Sequence, residues 1–470
     1  LGVAVAASTA VLGTALAWLL TRSDLPGRRV LAVAAPLPLV FPSFVGAFAL
    51  RNALVPGGLL ATWFGLDGWR AEGFTGAWLV MTLFTYPYVL LPVAARLAAL
   101  PPSLEESARL LGRRPAEVFR TVVLPQVAGA VQAGALLVFL YVVSDFGAVQ
   151  LLRYDTLTRA IYETRLTDRS RSLALALLLA AVALAVVVVE RELSRRRPAT
   201  PSVRGRVPLR VPLGRWRWPA LAGVVAVVGA ALVGPLLSLG FWVWRGLDAS
   251  ADPWATLGDD LSALGPATWN TAWVSALTAG VAVAAVLPVA YLTTRYRSRL
   301  AAPVNALVVS GFALPGLVVA LSVVFLVLQG PDVLSGLYNT FAVLVFAYVV
   351  HFGAQSMRAA QVAVGAVPDR LEDAARMLGA GRARRFRTVE LPLMLPGLAA
   401  GAGLVLLSTM KELPATLLVA PRGFETLATR MWGHTEDGFL ARAGLASLVL
   451  VAVSGLLTWL LVVRRSERLA

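Results

Sequence analysis

PPSLEESARLLGRRPAEVFRTVVLP at residues 101–125 returns as VPDRLEDAARMLGAGRARRFRTVELP at residues 367–392. Each copy begins at proline, runs through a short polar stretch and reaches Gly112 or Gly379, where glycine makes a left-handed helix end cheapest. Ser103 with Glu106, and Asp369 with Glu372, have the spacing of a capping box, which predicts side-chain N-caps on a short helix. A basic segment then leads to Leu124-Pro125 or Leu391-Pro392, and a first helical turn tolerates proline. The spacing predicts a helix–turn–helix joined rigidly to the apolar run that follows.

Matches continue outward from this pair. AWLLTR at 17–22 pairs with AYLTTR at 290–295, SDFGA at 144–148 with KELPA at 411–415, and DTLTRAIY at 155–162 with ETLATRMW at 425–432. The blocks keep their order, so the chain holds two repeats. They also keep their orientation, so the repeats are parallel, related by an axis along the membrane normal if they span one.

Composition says that they do. The 470 residues are 58% hydrophobic and 14% charged, against roughly 45–50% and 25% in soluble domains. Leu173–Val189, Leu221–Trp242 and Phe341–Val350 carry no charge, and about 20 such residues cross ~30 Å of hydrocarbon. A large soluble all-α protein is excluded. The expected fold is an all-α integral membrane protein with about 11 transmembrane helices in two tandem parallel-repeat lobes. The spans fall near 2–21, 29–52, 75–98, 126–146, 172–190, 219–243, 270–293, 303–328, 336–358, 393–411 and 443–463. Residues 1–190 form the first lobe, 191–217 an Arg/Pro-rich linker, and 218–470 the second lobe. In the repeat register Asn270 falls just before residue 1, so the expectation is that a first helix precedes this chain and makes twelve spans; an eleven-span form is the alternative.

The formal charge is +16, and 41 of the 42 basic residues are Arg, clustered between apolar runs. Alternating span directions put 30 of the 42 on one face, the cytoplasmic one by the positive-inside rule. Residue 1 is then outside and the C-terminus inside, with lipid headgroups as partners. Basic stripes interleaved with aromatics, which would stack bases, are missing, so nucleic acid is not an expected partner. Without cysteine there is no disulfide or thiolate chemistry.

The repeated loop resembles the EAA loop of ABC importer permeases: Glu-Ala-Ala, three residues, Gly, nine residues, Ile, one residue, Leu-Pro. Glu106, Ser107, Ala108, Gly112, Val122, Leu124 and Pro125 match in one copy. Asp373, Ala374, Ala375, Gly379, Val389, Leu391 and Pro392 match in the other. Ser107, Asp373 and the two valines depart mildly, and Glu372 beside Asp373 is placed to take over its contact. The resemblance implies the type I ABC importer permease fold in the cell inner membrane, with alternating access. It implies a short helix that docks into a groove on a cytoplasmic ATPase, with Glu105 and Glu372 in the coupling set. The apolar face of Ala108 and Leu111, or Ala375 and Leu378, suits such a groove. Two helices imply two ATPase subunits, and the family implies a periplasmic or lipid-anchored solute-binding protein. ATP and Mg belong to the ATPase. A P-loop needs Gly-Lys-Ser/Thr, whereas the one lysine, Lys411, lies between Met410 and Glu412. This chain is therefore read as a transport subunit, not an enzyme, with no cofactor of its own.

Residues 144–163 and 410–432 resemble the ferric-iron permeases; fused permeases of the family also carry thiamine and other small solutes. Asp145 and Glu412 are equivalent in the repeat, at outer span ends, and acids at membrane depth usually face an interior or a water-filled path. Symmetry would set one on each side of the axis. Carboxylate and phenolate oxygens suit a hard cation such as Fe(III), and Tyr141 lies one turn before Asp145 on the same face. Asp145, Glu412 and Tyr141 are thus candidate path residues, the two acids also transient metal contacts. The alternative is interfacial ion pairing, Glu412 with Lys411 or Arg422 and Asp145 with Arg153. His351, near the inner end of the ninth span, and His434, in an outer loop, have no spaced partner for a metal. Phe84, Tyr86 and Tyr88 read as packing or interface aromatics. Pro42 and Pro315 break or kink the second span of each lobe, either to open a cavity or as simple kinks. An ion-coupled secondary transporter and a non-transporting scaffold are the competing classes.

Overall fold

The computed structural model describes residues 1–65, 71–195, 210–296 and 298–460, and among these every extended element is helical. A helix satisfies its own backbone hydrogen bonds, which hydrocarbon demands. Among the described residues ten helical stretches are long and apolar enough to cross a membrane, or up to eleven if one bent pair is a single span. Ten of the eleven expected spans have a counterpart with changed boundaries, and the one expected at 303–328 corresponds to the bent pair.

In chain order, the first repeat contains α1 (Gly2–Arg22), α2 (Ser43–Leu54), α3 (Gly73–Thr85), α4 (Pro87–Ala99), the loop helix α5 (Pro102–Leu110), α6 (Leu124–Ser144) and the short α7 (Gly147–Leu151). Then come α8 (Arg169–Arg195) and α9 (Gly234–Asp248). The second repeat contains α10 (Pro253–Thr294), α11 (Ala301–Ala313), α12 (Gly316–Gln329), α13 (Phe341–Gly365), the loop helix α14 (Asp369–Met377), α15 (Leu391–Met410) and α16 (Pro414–Val419). Two more, α17 (Leu427–Glu436) and α18 (Leu440–Thr458), complete it.

Both prolines of interest break their spans outright. Instead of one crossing at 29–52, a short helix at Arg28–Ala34 and a 3-10 turn at Leu37–Val40 precede Pro42, which caps α2 in an extended conformation. Pro315 does the same for α12, and the chain bends by 107° between Ala301–Gly311 and Gly316–Gln329. Proline lacks the N–H of the helical ladder and bars the residue before it from helical geometry. The seventh span is longer than expected: α10 has 42 residues, or about 63 Å at 1.5 Å per residue. It starts at Pro253 because the Asp252 side chain accepts the N–H groups of Trp254 and Ala255.

Packing divides the chain into two units, Leu1–Thr164 with Ala185–Trp242, and Arg165–Leu184 with Val243–Ala470. In the first, α1, α4 and α6 form the central bundle; in the second, α10, α13 and α15 do. Close approach rests on equivalent glycines. A Cβ on Gly134 would lie 2.8 Å from the Tyr88 carbonyl and from Val89 Cα, and one on Gly401 3.0 Å from the Ala359 Cβ. The region opening the second repeat packs within the first unit, where Ser238 Oγ donates to Ala49 O at 2.7 Å and Trp242 Nε1 to Asn52 O at 3.0 Å. Residues 196–209 of the expected linker lie outside the described residues, while 191–195 continue α8. At its far end Val211 N–H donates to Arg22 O at 2.7 Å, and Leu213 N–H to Asp24 Oδ1 at 2.9 Å.

Candidate functional site: coupling loops and paired carboxylates

The two loops fold alike. Both α5 and α14 end in a Schellman turn: Gly112 N–H donates to Arg109 O and Arg113 N–H to Ala108 O, while Gly379 donates to Arg376 O and Ala380 to Ala375 O. Gly112 has φ +79° and Gly379 φ +76°, the left-handed geometry that glycine adopts without cost. The expected capping boxes do not form. Pro101 and Pro368 are the N-caps, with no side-chain cap hydrogen bond; in the second loop Asp369 and Glu372 go to Arg295 instead, while in the first Ser103 and Glu106 are exposed.

Those arginines close the preceding matched block. Arg22 Nη1 pairs with Glu105 Oε1 at 2.9 Å, and its Nη2 donates to Leu97 O at 2.6 Å and Leu100 O at 3.4 Å. Arg295 repeats this position by position. It pairs with Glu372 at 3.1 Å and with Asp369, and donates to Val364 O and to Val367 O at 3.2 and 2.5 Å. One guanidinium thus ties the end of a long helix to the end of its neighbour and to the loop helix. Glu372 is held inside its own unit by Arg295.

The coupling set separates into two faces. Glu105, Ala108 and Ala375 are buried and Glu372 half-buried, so they hold the loop to its unit; Glu106 and Asp373 are exposed. The expected Ala–Leu face is split. Its leucines point away from the alanines, and Leu110 and Met377 beside them are each 88% exposed. Leu124-Pro125 and Leu391-Pro392 do not open new helices after a loop. Helix is already wound from Pro115 and from Arg382, and π turns at Phe119–Val123 and Phe386–Glu390 precede the prolines. The wider turn accommodates the ring and its missing N–H.

At the other ends of α6 and α15 stand the two carboxylates. Asp145 Oδ2 accepts from Ser43 Oγ, and its Oδ1 from Ala148 N–H at 3.0 Å. Glu412 Oε1 accepts from Ala415 N–H at 3.1 Å. Each acid therefore caps the short helix after it, α7 or α16. Arg153 pairs with Glu72, not Asp145. One turn earlier, Tyr141 packs on Tyr88 with centroids 5.7 Å apart, and the equivalent Ser408 donates to Gln355 at 2.8 Å. Phe84 and Tyr86 are buried, and the Tyr86 hydroxyl donates to Ala35 O. His351 is mid-helix in α13, not near its end. His434 lies on α17 beside a cavity of about 220 Å³ shared with Asp259, Asp260, Arg430 and Arg442. Burial, then the charges of Arg430 and Arg442, hold its imidazole below the ordinary range.

Two lines of similarity bear on this architecture. The family model for the binding-protein-dependent transport system inner membrane component matches twice, at residues 10–197 and 276–467. The chain belongs to that family. The permease is 32% identical over 455 residues to the Fe(3+)-transport system permease protein FbpB 2 of Haemophilus influenzae, covering 96% of this chain and 85% of that one. It is 33% identical over 140 residues to the sulfate transport system permease protein CysT of Escherichia coli, and 30% over 158 to a putative 2-aminoethylphosphonate permease, PhnV, of Salmonella typhimurium. Those alignments cover 30% and 34% of the permease and 50% and 57% of the relatives.

The permease carries no group of three or more His, Cys, Asp or Glu that could hold a metal, among its described residues. Sequence reasoning did not single out Arg22 and Arg295. The signal was present, since each closes a matched block and each precedes a repeated acid.

Proposed function

We propose that this permease is the membrane subunit of an ATP-driven importer for iron(III), working by alternating access. Two copies of a cytoplasmic ATPase, which hold the ATP and Mg, dock on α5 and α14. A periplasmic or lipid-anchored binding protein delivers cargo to the opposite face. The exposed apolar tips of α5 and α14, with Glu106 and Asp373 beside them, suit a groove on a partner, and Arg22 and Arg295 relay its movement to α1 and α10. Asp145, Glu412 and Tyr141 are assigned to the cargo path, with the coupling loops and C-terminus on the cytoplasmic side.

The observation that carries the cargo assignment is the full-length similarity to an Fe(3+) permease, against partial matches to sulfate and phosphonate permeases. The acids at equivalent positions agree with it, since carboxylates attract a hard cation and repel an oxyanion. The test is reconstitution with the ATPase and binding protein, comparing labelled Fe(III), sulfate, thiamine and a polyamine. Uptake of iron alone is expected; ATP-dependent uptake of another solute with none of iron would overturn the cargo.

A further inference from the structure

The two carboxylates sit in unlike surroundings, and the repeat makes the comparison direct. Ser43, Phe84, Tyr88, Tyr141 and Asp145 of the first repeat correspond to Gly316, His351, Gln355, Ser408 and Glu412 of the second.

In the first repeat the acid accepts from Ser43 and from Ala148 N–H, and the other equivalent positions are aromatic. Ser43 fills the space beside Asp145 and donates to it, Phe84 packs against Phe41 with centroids 5.8 Å apart, and the two tyrosines stack beyond. In the second repeat the serine is replaced by a glycine. A Cβ on Gly316 would stand 2.8 Å from Glu412 Oε1 and 3.3 Å from His351 Nε2. A carboxylate oxygen and an imidazole nitrogen thus both crowd the same side of Gly316, where any side chain would push into them. The phenylalanine has become that histidine, whose Nδ1 is buried without a hydrogen bond among the described residues. The tyrosine pair has become Gln355 and Ser408, which add amide and hydroxyl groups one turn away.

We infer that Glu412 and His351, which both approach Gly316, form a cation-accepting site for the cargo, and that the first repeat has no counterpart. An anionic oxygen with an imidazole nitrogen suits an iron ion. Ala415 N–H donates to Glu412 Oε1. Two protein donors leave most coordination positions to water or a chelating anion, so the ion is held weakly enough to leave. That suits cargo in transit rather than a resident metal. The inference rests on the iron reading above.

The test exchanges the repeats' residues. Gly316→Ser and His351→Phe install what the first repeat carries, and Glu412→Gln removes the charge at constant shape. In proteoliposomes holding permease, ATPase and loaded binding protein, each variant is expected to lower labelled Fe(III) uptake at least tenfold. ATP hydrolysis stimulated by the binding protein should persist, because the coupling loops are untouched. Equilibrium dialysis of the purified permease–ATPase complex against gallium(III) citrate gives a readout independent of transport. Wild type should bind about one gallium per permease and the three variants none, whereas Ser43→Gly combined with Phe84→His should raise the count.

Wild-type binding and uptake in His351→Phe and Glu412→Gln would overturn the site, whatever becomes of Gly316→Ser. Should wild type bind gallium yet import no iron, the iron reading fails and the site stands. Should wild type import iron but bind no gallium, with uptake unchanged in the variants, the site fails and the iron reading stands.

Discussion

Gly112 and Gly379 show how much one backbone angle carries. A Cβ at either position would meet nothing within 4 Å, so a larger residue would clash with no neighbour. Its cost is conformational, about 1–2 kcal/mol for an L-residue held in the left-handed region, and more for a β-branched one. The double variant Gly112→Val/Gly379→Val should insert normally, re-aim both loop helices and lose transport while ATP hydrolysis continues. The ratio of solute moved to ATP hydrolysed checks this; an unchanged ratio would remove the coupling role from the loops. Asp145→Ala and Glu412→Ala address the other end. If both acids line the path, labelled iron uptake should be abolished by either. Full uptake in both would leave them as helix caps only.

Between elements, the same joint is built in two chemistries. Around the first loop Trp18 meets Phe119 edge to face, and Val118 and Val123 are buried. The equivalent places in the second hold Tyr291, Arg385 and Glu390, with the Tyr291 hydroxyl and Arg385 Nε each 2.7 Å from a Glu390 oxygen. The arginine joints differ too: Arg22 and Glu105 side chains are 1% and 7% exposed, Arg295 and Glu372 19% and 15%. Removing one partner of a buried pair strands the other charge, at about 3–5 kcal/mol. Arg22→Ala should therefore lower the unfolding temperature in detergent clearly more than Arg295→Ala, with equal shifts contradicting the ranking. Gly134→Ala presses a methyl on the α4 backbone and should destabilise by about 1–3 kcal/mol; unaltered thermal unfolding would mean the helices separate freely.

Across the whole molecule, two parallel repeats with two loop helices argue for a machine driven from outside the chain. Inside-out and right-side-out membrane vesicles with the ATPase present separate the classes. Transport that requires ATP and ignores an imposed proton or sodium gradient is expected. The reverse pattern would identify a secondary transporter, and an ATPase left unstimulated by the permease would identify a scaffold.

Much of the fold was legible because its determinants are local. Uncharged runs of about 20 residues mark spans, matched blocks mark the repeat, and Gly112 and Gly379 mark helix ends through a backbone angle that glycine alone adopts cheaply. Pro42 and Pro315 announced breaks for the same reason, since proline acts on its immediate neighbours. The capping box of the second loop was misread because spacing records which side chains can reach a backbone N–H, not which charge competes for them. Arg22 reaches Glu105 across a separation of 83 positions by way of α4, and His351 and Glu412 both meet Gly316 only because α12, α13 and the end of α15 converge. The sequence by itself determined the spans, the doubling and the loop turns. Only the tertiary structure decided which acid is clamped, which caps a helix, and which shares a glycine with an imidazole, because those outcomes depend on contacts between helices distant in the chain.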